Sequence, residues 1–196
     1  METISQHMDE KTMNEITTSY ERSVSKPKEE IIREAKRLSE NCLHTSKSHF
    51  VEARFWQNSH LWIGVPTVVL AGIAGTLAFS NVKFISGIVS IVVVVLTSIT
   101  TFLNPKDQAN AHLNAGNNYD SLMTKLRTFW SIDCWREETD TILMERLRAY
   151  SEERDRLNRE CPQPAQWAYK KAKKGIEEGE AEYRVDRDNG MSIKAK

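Results

Sequence analysis

The sequence predicts an all-α membrane protein, with a two-helix transmembrane hairpin and a cytoplasmic helical bundle or stalk. Three observations carry that expectation. Of 196 residues, the 43 at positions 61–103 hold one charge, Lys83, and 27 of them are apolar. The block divides into two uncharged runs, Leu61–Phe79 and Phe84–Leu103, joined by only Ser80, Asn81, Val82 and Lys83. Outside it, apolar residues recur in steps of three and four within a charged background, the period of amphipathic helices.

Whole-chain averages conceal this arrangement. Mean hydropathy is −0.51, and 27 Lys and Arg balance 27 Asp and Glu. A neutral chain lacks the broad basic footprint of a nucleic-acid binder, so no nucleic-acid partner is expected. Three cysteines, Cys42, Cys134 and Cys161, form no CxxC pair and leave an odd count, which argues against a disulfide framework or a zinc site.

Each element can be justified in chain order. Residues 1–27 are polar, rich in Ser, Thr and Glu, and end at Pro27, which predicts a disordered N-terminal segment. From 28 to 60 the positions Ile32, Ala35, Ser39, Cys42, Ser46, His49, Ala53 and Trp56 trace a narrow seam of coiled-coil type. No Gly or Pro interrupts the chain between Lys28 and Gly64, so this helix is expected to run into the first span without a break.

The first span, 61–79, and the second, 84–103, are each about 28–30 Å long as helices at roughly 1.5 Å per residue, which matches a bilayer's hydrocarbon core. The linker between them forces an antiparallel hairpin. Trp56, Trp62 and Phe102 fall at one end of it and Phe79 and Phe84 at the other, as interfacial aromatic belts do. Lys47, Arg54 and Lys106 flank one end against Lys83 alone in the turn, and this bias places both termini in the cytoplasm. Pro66 is expected in the first turns of its span, where a missing amide donor costs least.

Two polar or small-residue stripes mark the spans. Thr67, Ala71 and Gly75 would allow close helix packing in lipid. Ser86, Ser90, Thr97 and Thr101 lie near one face of the second span. They either pack against other helices or line an aqueous path. A single hairpin cannot enclose such a path, so a pore requires a homo-oligomer.

Beyond Asn104 and Pro105, residues 106–160 predict two more cytoplasmic helices. Leu113, Tyr119, Leu122, Met123, Leu126 and Phe129 form the stripe of one, and Leu143, Leu147, Tyr150 and Leu157 that of the other. Residues 131–136 read as a bend between them. Leu122 and Leu126 are candidate positions for cytoplasmic assembly of subunits. Residues 161–196 read as a polar tail in which Lys170, Lys171, Lys173 and Lys174 form a solvated helix surface, or else a contact for anionic headgroups of membrane lipid.

No catalytic constellation is evident, and no enzyme activity, cofactor or metal is expected. The chain contains no GK[ST] phosphate loop and no HExxH motif. His44 and His49 are five apart on one helix, so their directions diverge. Cys134 has no evident base beside it in sequence.

The layout of a long helix, two spans with a minimal turn and then FLNPKDQANAHLNAGNNYDSLMTKLR resembles the SLATT family over roughly residues 28–160. The positions that carry the resemblance are His112, Gly116, Tyr119, Leu122 and Arg127, with Arg54 and Trp56 before the first span. The resemblance implies a bacterial inner-membrane effector of anti-phage or other conflict systems. In that role an oligomer breaches the membrane on a signal from a nucleotide-signalling enzyme or sensor protein encoded nearby. A non-conducting membrane anchor or scaffold for such a partner is the alternative.

Overall fold

The computed structural model describes the backbone of residues 2–80, 83–136 and 138–181, and the side chains of 27–80, 84–136 and 138–181. The regular structure of those residues is all helical, with no strand among them. The elements are α1 (Glu2–Ala78), α2 (Lys83–Leu103), α3 (Pro105–Ser131), a 3-10 turn (Asp133–Trp135), α4 (Asp140–Glu160) and α5 (Gln166–Glu177). The long apolar and amphipathic periods therefore became helices as expected, and the bend at 131–136 is present.

Two boundaries differ from the sequence reading. The helical backbone of α1 extends back to Glu2, across the segment expected to be disordered. No Gly or Pro stands between Glu2 and Pro27 to break it; the side chains of 1–26 lie outside the described residues. Pro66 does stand in the first turns of the apolar run, but because α1 is continuous there the missing donor falls inside a helix. It withdraws one amide donor there, beside the Thr67 hydroxyl, which donates to the Ile63 carbonyl at 2.7 Å. The supposed tail contains α5, whose Ala168, Ala172 and Gly175 are buried. Small residues at positions four and three apart let this helix lie close to its neighbour, a signal masked in sequence by the lysines between them. Lys170, Lys171, Lys173 and Lys174 are exposed, as expected.

The chain forms two compact units. The first gathers the chain up to Leu43 with Asp120–Arg156. Its core is Ile31, Ala35, Leu38 and Cys42 from α1, Leu122, Met123, Leu126 and Phe129 from α3, and Leu143 and Leu147 from α4. The α1 stripe is rotated by one residue from the expected seam at its N-terminal end, where Ile31 and Leu38 are buried and Ile32 and Ser39 only half-buried. Positions 31, 35, 38 and 42 keep the helical period with larger apolar side chains. Phe129 meets the edge of Tyr150 at 5.5 Å. Leu122 and Leu126 are fully buried here, so they hold this unit together and offer no surface to a second subunit. The assembly role expected of them is withdrawn.

The second unit gathers, among the described residues, those from His44 to Tyr119 and 157–181. It contains the two segments long and apolar enough to cross a membrane, and only 6% of the most apolar window of each is buried. Core helices of a water-soluble fold would be mostly covered. Here Trp62 is 79% exposed, Phe79 96%, Phe84 82% and Phe102 90%. The hairpin contact runs through Ala74 and Ser86, both buried, with the Ser86 hydroxyl donating to the Ala74 carbonyl at 3.0 Å.

Asn104 separates α2 from α3 with φ 40°, in the left-handed region that costs most residues about 1–2 kcal/mol but suits Asn and Gly. Its side-chain amide donates to the Asp107 carboxylate, and its carbonyl accepts from the amides of Asp107 and Gln108. Pro105 follows at the first helical position, where it needs no donor. Asn104→Val should lower thermal stability by about 1–2 kcal/mol, whereas Asn104→Gly should cost well under that; thermal unfolding of the two purified variants in detergent checks the ordering. Leu126→Ala should cost about 2–5 kcal/mol in the same assay, as expected of a fully buried leucine.

Candidate functional site

The most unusual chemistry lies in the second unit, where several polar side chains are buried just before the first apolar run and just after the second. On α1, Ser46, His49 and Glu52 occupy one face at three-residue steps, with exposures of 1%, 1% and 7%. On α3, His112 is 3% exposed and Tyr119, two turns further, is 3% exposed. Ordinarily such groups stay in water, because burying an unpaired polar side chain costs several kcal/mol, on the order of 2–7. Their pairing explains why they can be here.

The groups form a row. His49 Nδ1 and His112 Nδ1 are 3.0 Å apart, and the opposite nitrogen of His112, Nε2, lies 3.5 Å from Glu52 Oε1. The other carboxylate oxygen accepts the Ala165 backbone N–H at 2.7 Å, directly before α5. A carboxylate at that position also faces the positive end of the α5 backbone dipole. Tyr119 stacks on His49 with ring centroids 5.7 Å apart and planes 14° from parallel, and its hydroxyl donates to Asn158 Oδ1 at 2.6 Å. Both rings can be neutral when His49 donates Nδ1–H to His112 Nδ1 and His112 turns its Nε2–H to Glu52.

Backbone proximity makes the row possible. A Cβ added at Gly116 would stand 2.7 Å from the Phe50 ring, so this α1 side chain lies directly on the α3 backbone and would have to shift for any larger residue. On the same side of α1, Phe55 meets Trp167 of α5 edge-on at 5.1 Å, and His44 lies 6.2 Å from Tyr169. Lys47 reaches Glu180 at 3.8 Å. The arrangement ties α1, α3 and α5 through one buried polar seam.

Electrostatics sharpen the picture. Burial, reinforced by the neighbouring His112, pushes His49 down to about 4 from its ordinary 6.5. Burial pushes the Cys42 thiol up to about 12, with opposing influences from Arg154 and Glu153, so this sulfur is no nucleophile near neutral pH. The row does not chelate: His112 presents one nitrogen to His49 and the other to Glu52, so the donors do not converge on a point. Among the described residues, no group of three or more His, Cys, Asp or Glu side chains could hold a metal ion.

The residues singled out in sequence are distributed differently. Of the hydroxyl stripe, Ser86 faces the hairpin partner, while Ser90, Thr97 and Thr101 are exposed. Each of these three donates to the carbonyl four residues earlier, Ser86, Val93 and Thr97 respectively, at 2.8–2.9 Å. Of the small stripe, Thr67 is half-buried, Ala71 and Gly75 are exposed, and buried Ala74 beside them makes the contact.

The buried row was missed by motif reasoning because its members lie 63 positions apart in sequence. One signal did exist. His49 occupies a seam otherwise made of small and apolar residues, and Glu52 follows one turn later on the same face. His112, Gly116 and Tyr119 form a matching polar stripe on α3. Comparison with family models, with curated proteins and with solved structures found no match for the chain.

A stability prediction follows from His49. The unfolded chain binds a proton at this ring below about 6.5 and the folded chain only below about 4, so between those values the unfolded state holds more protons. Stability should therefore be fully present above pH 6.5 and fall as the pH drops toward 4, by on the order of 3 kcal/mol. Denaturant unfolding of wild type and His49→Gln across this range checks it: the variant's curve should lack that portion of the slope.

Proposed function

We propose that the chain is an oligomeric membrane effector whose hairpin permeabilises or depolarises the membrane it enters. The observation that carries this reading is the outward display of both apolar segments by a single chain, with 6% of each most apolar window buried. Such a surface needs lipid or further copies to cover it, since soluble monomers rarely expose a contiguous apolar patch above a few hundred Å², on the order of 300–600. Ser90, Thr97 and Thr101 lie on a face that the hairpin contact leaves open, and several copies arranged about that face would turn hydroxyls toward a shared axis. Their bonds to the preceding turn satisfy each hydroxyl in lipid, and a hydroxyl oxygen retains acceptor capacity for water.

This reading takes up the resemblance to the SLATT family, with both termini in the cytoplasm of a bacterial inner membrane and a homo-oligomer as the active form. A nucleotide-signalling enzyme or sensor encoded nearby would supply the trigger. The chain itself is assigned no reaction, and a role in anti-phage or conflict defence follows from the same reading. A trigger can shift subunits between closed and open arrangements only by its difference in affinity for the two. Assembly contacts belong to exposed faces, since Leu122 and Leu126 are occupied within the chain.

Expression in a bacterial host with a voltage-sensitive dye tests the proposal. Wild type should collapse the membrane potential, and the Ser90→Leu/Thr97→Leu double variant at matched expression should not. An unchanged potential with the candidate trigger genes co-expressed would favour the non-conducting anchor instead.

A further inference from the structure

We propose that His49 and His112 form a proton-operated clamp between the stems of the two apolar segments. His49 lies on α1 twelve residues before Leu61, and His112 lies on α3 nine residues after Leu103. The clamp therefore joins the two helical stretches that lead into and out of the hairpin. The inference concerns the stems alone and holds whether or not the hairpin conducts.

Its mechanism is a matter of hydrogen count. Two Nδ1 atoms 3.0 Å apart share one hydrogen. The pair can take up one further proton and keep that bond: the added hydrogen sits on His49 Nε2, and with the shared hydrogen moved onto His112 Nδ1 the cation is His112, beside the Glu52 carboxylate. A second added proton gives both rings two N–H groups. Both Nδ1 atoms then carry hydrogen, their bond is lost, and two buried cations face each other directly, with the single carboxylate on the far side of His112. No rotation of charge within the row relieves this, so the rings must part.

Among the described contacts, none brings the pair a second carboxylate. On α1 the charged and titratable neighbours are Glu52, already engaged by His112 and the Ala165 amide, and Lys47, which pairs with Glu180; His44 lies more than a turn away. On the opposite side Tyr119 stacks on His49 and gives its hydroxyl hydrogen to Asn158, which carries no charge. From the chain entering α5 the contact is a backbone amide rather than an acid. The closeness of α3 to α1 at Gly116, against the Phe50 ring, means that parting the rings shifts the whole stem contact rather than one side chain.

Hydrogen exchange on the full-length chain in neutral detergent micelles tests the clamp, comparing about pH 7 with about pH 3.5 after correction for the intrinsic exchange rate. In wild type, amides of residues 46–53 and 109–119 should lose protection tenfold or more on acidification, ahead of residues 143–147. In His49→Gln, whose amide can still bond His112 but takes no proton, protection in the two stems should stay level. Should that variant not fold, His112→Gln removes the same second proton and should behave alike. Glu52→Gln should keep the acid response. An equal loss in wild type and His49→Gln, a response abolished by Glu52→Gln, parallel loss at 143–147, or no loss in wild type would each overturn the proposal.

Discussion

The second unit is built on a run of 43 residues that carries a single charge and leaves most of its apolar surface uncovered. In a hydrocarbon environment such a run must satisfy every backbone N–H and C=O internally, and helices do so. That requirement accounts for the continuity of α1 through Ala78 and for the short linker. It also accounts for hydroxyls that bond back to the preceding turn. Even the one interior proline of the first apolar run sits beside a threonine hydroxyl bonded to a neighbouring carbonyl. The hairpin contact is correspondingly modest, one buried alanine against one buried serine. Its outer surface is left for lipid or for other copies.

Next to that run the helices are joined by a polar row. Its hydrogen bonds hold α1, α3 and the turn before α5 together with directional contacts. Such a row is unforgiving, because a group that loses its partner in a low-dielectric interior carries the full cost of desolvation. This is why one proton too many has structural consequences there, while the exposed Lys173–Glu177 and Lys174–Glu178 pairs on α5 matter little.

Much of the fold was legible in the sequence because it rests on periodicity. The apolar runs and the stripes Leu122–Leu126–Phe129 and Leu143–Leu147–Leu157 became helices with those faces buried. Composition misled where it stood in for packing. Lysines hid the Ala168–Ala172–Gly175 face of α5, and polar residues before Pro27 were read as unstructured although nothing in them breaks a helix. The stripe of Leu122 and Leu126 shows that a face is apolar and is silent on what covers it, which here is the chain itself. The buried row was the hardest to see. Its parts come from α1, α3 and the turn before α5, and only the tertiary approach at Gly116 brings His49 and His112 together.

The central claim is that residues 61–103 enter the bilayer as a hairpin, and single-cysteine accessibility in intact cells tests it most directly. With Cys42, Cys134 and Cys161 replaced by serine, a cysteine at Ser80 in the turn and another at Lys106 would be probed separately with a membrane-impermeant maleimide. The account predicts labelling at position 80 from outside the inner membrane and at position 106 only after the membrane is opened. Equal labelling of both positions before lysis, or recovery of the chain in the soluble fraction, would contradict it.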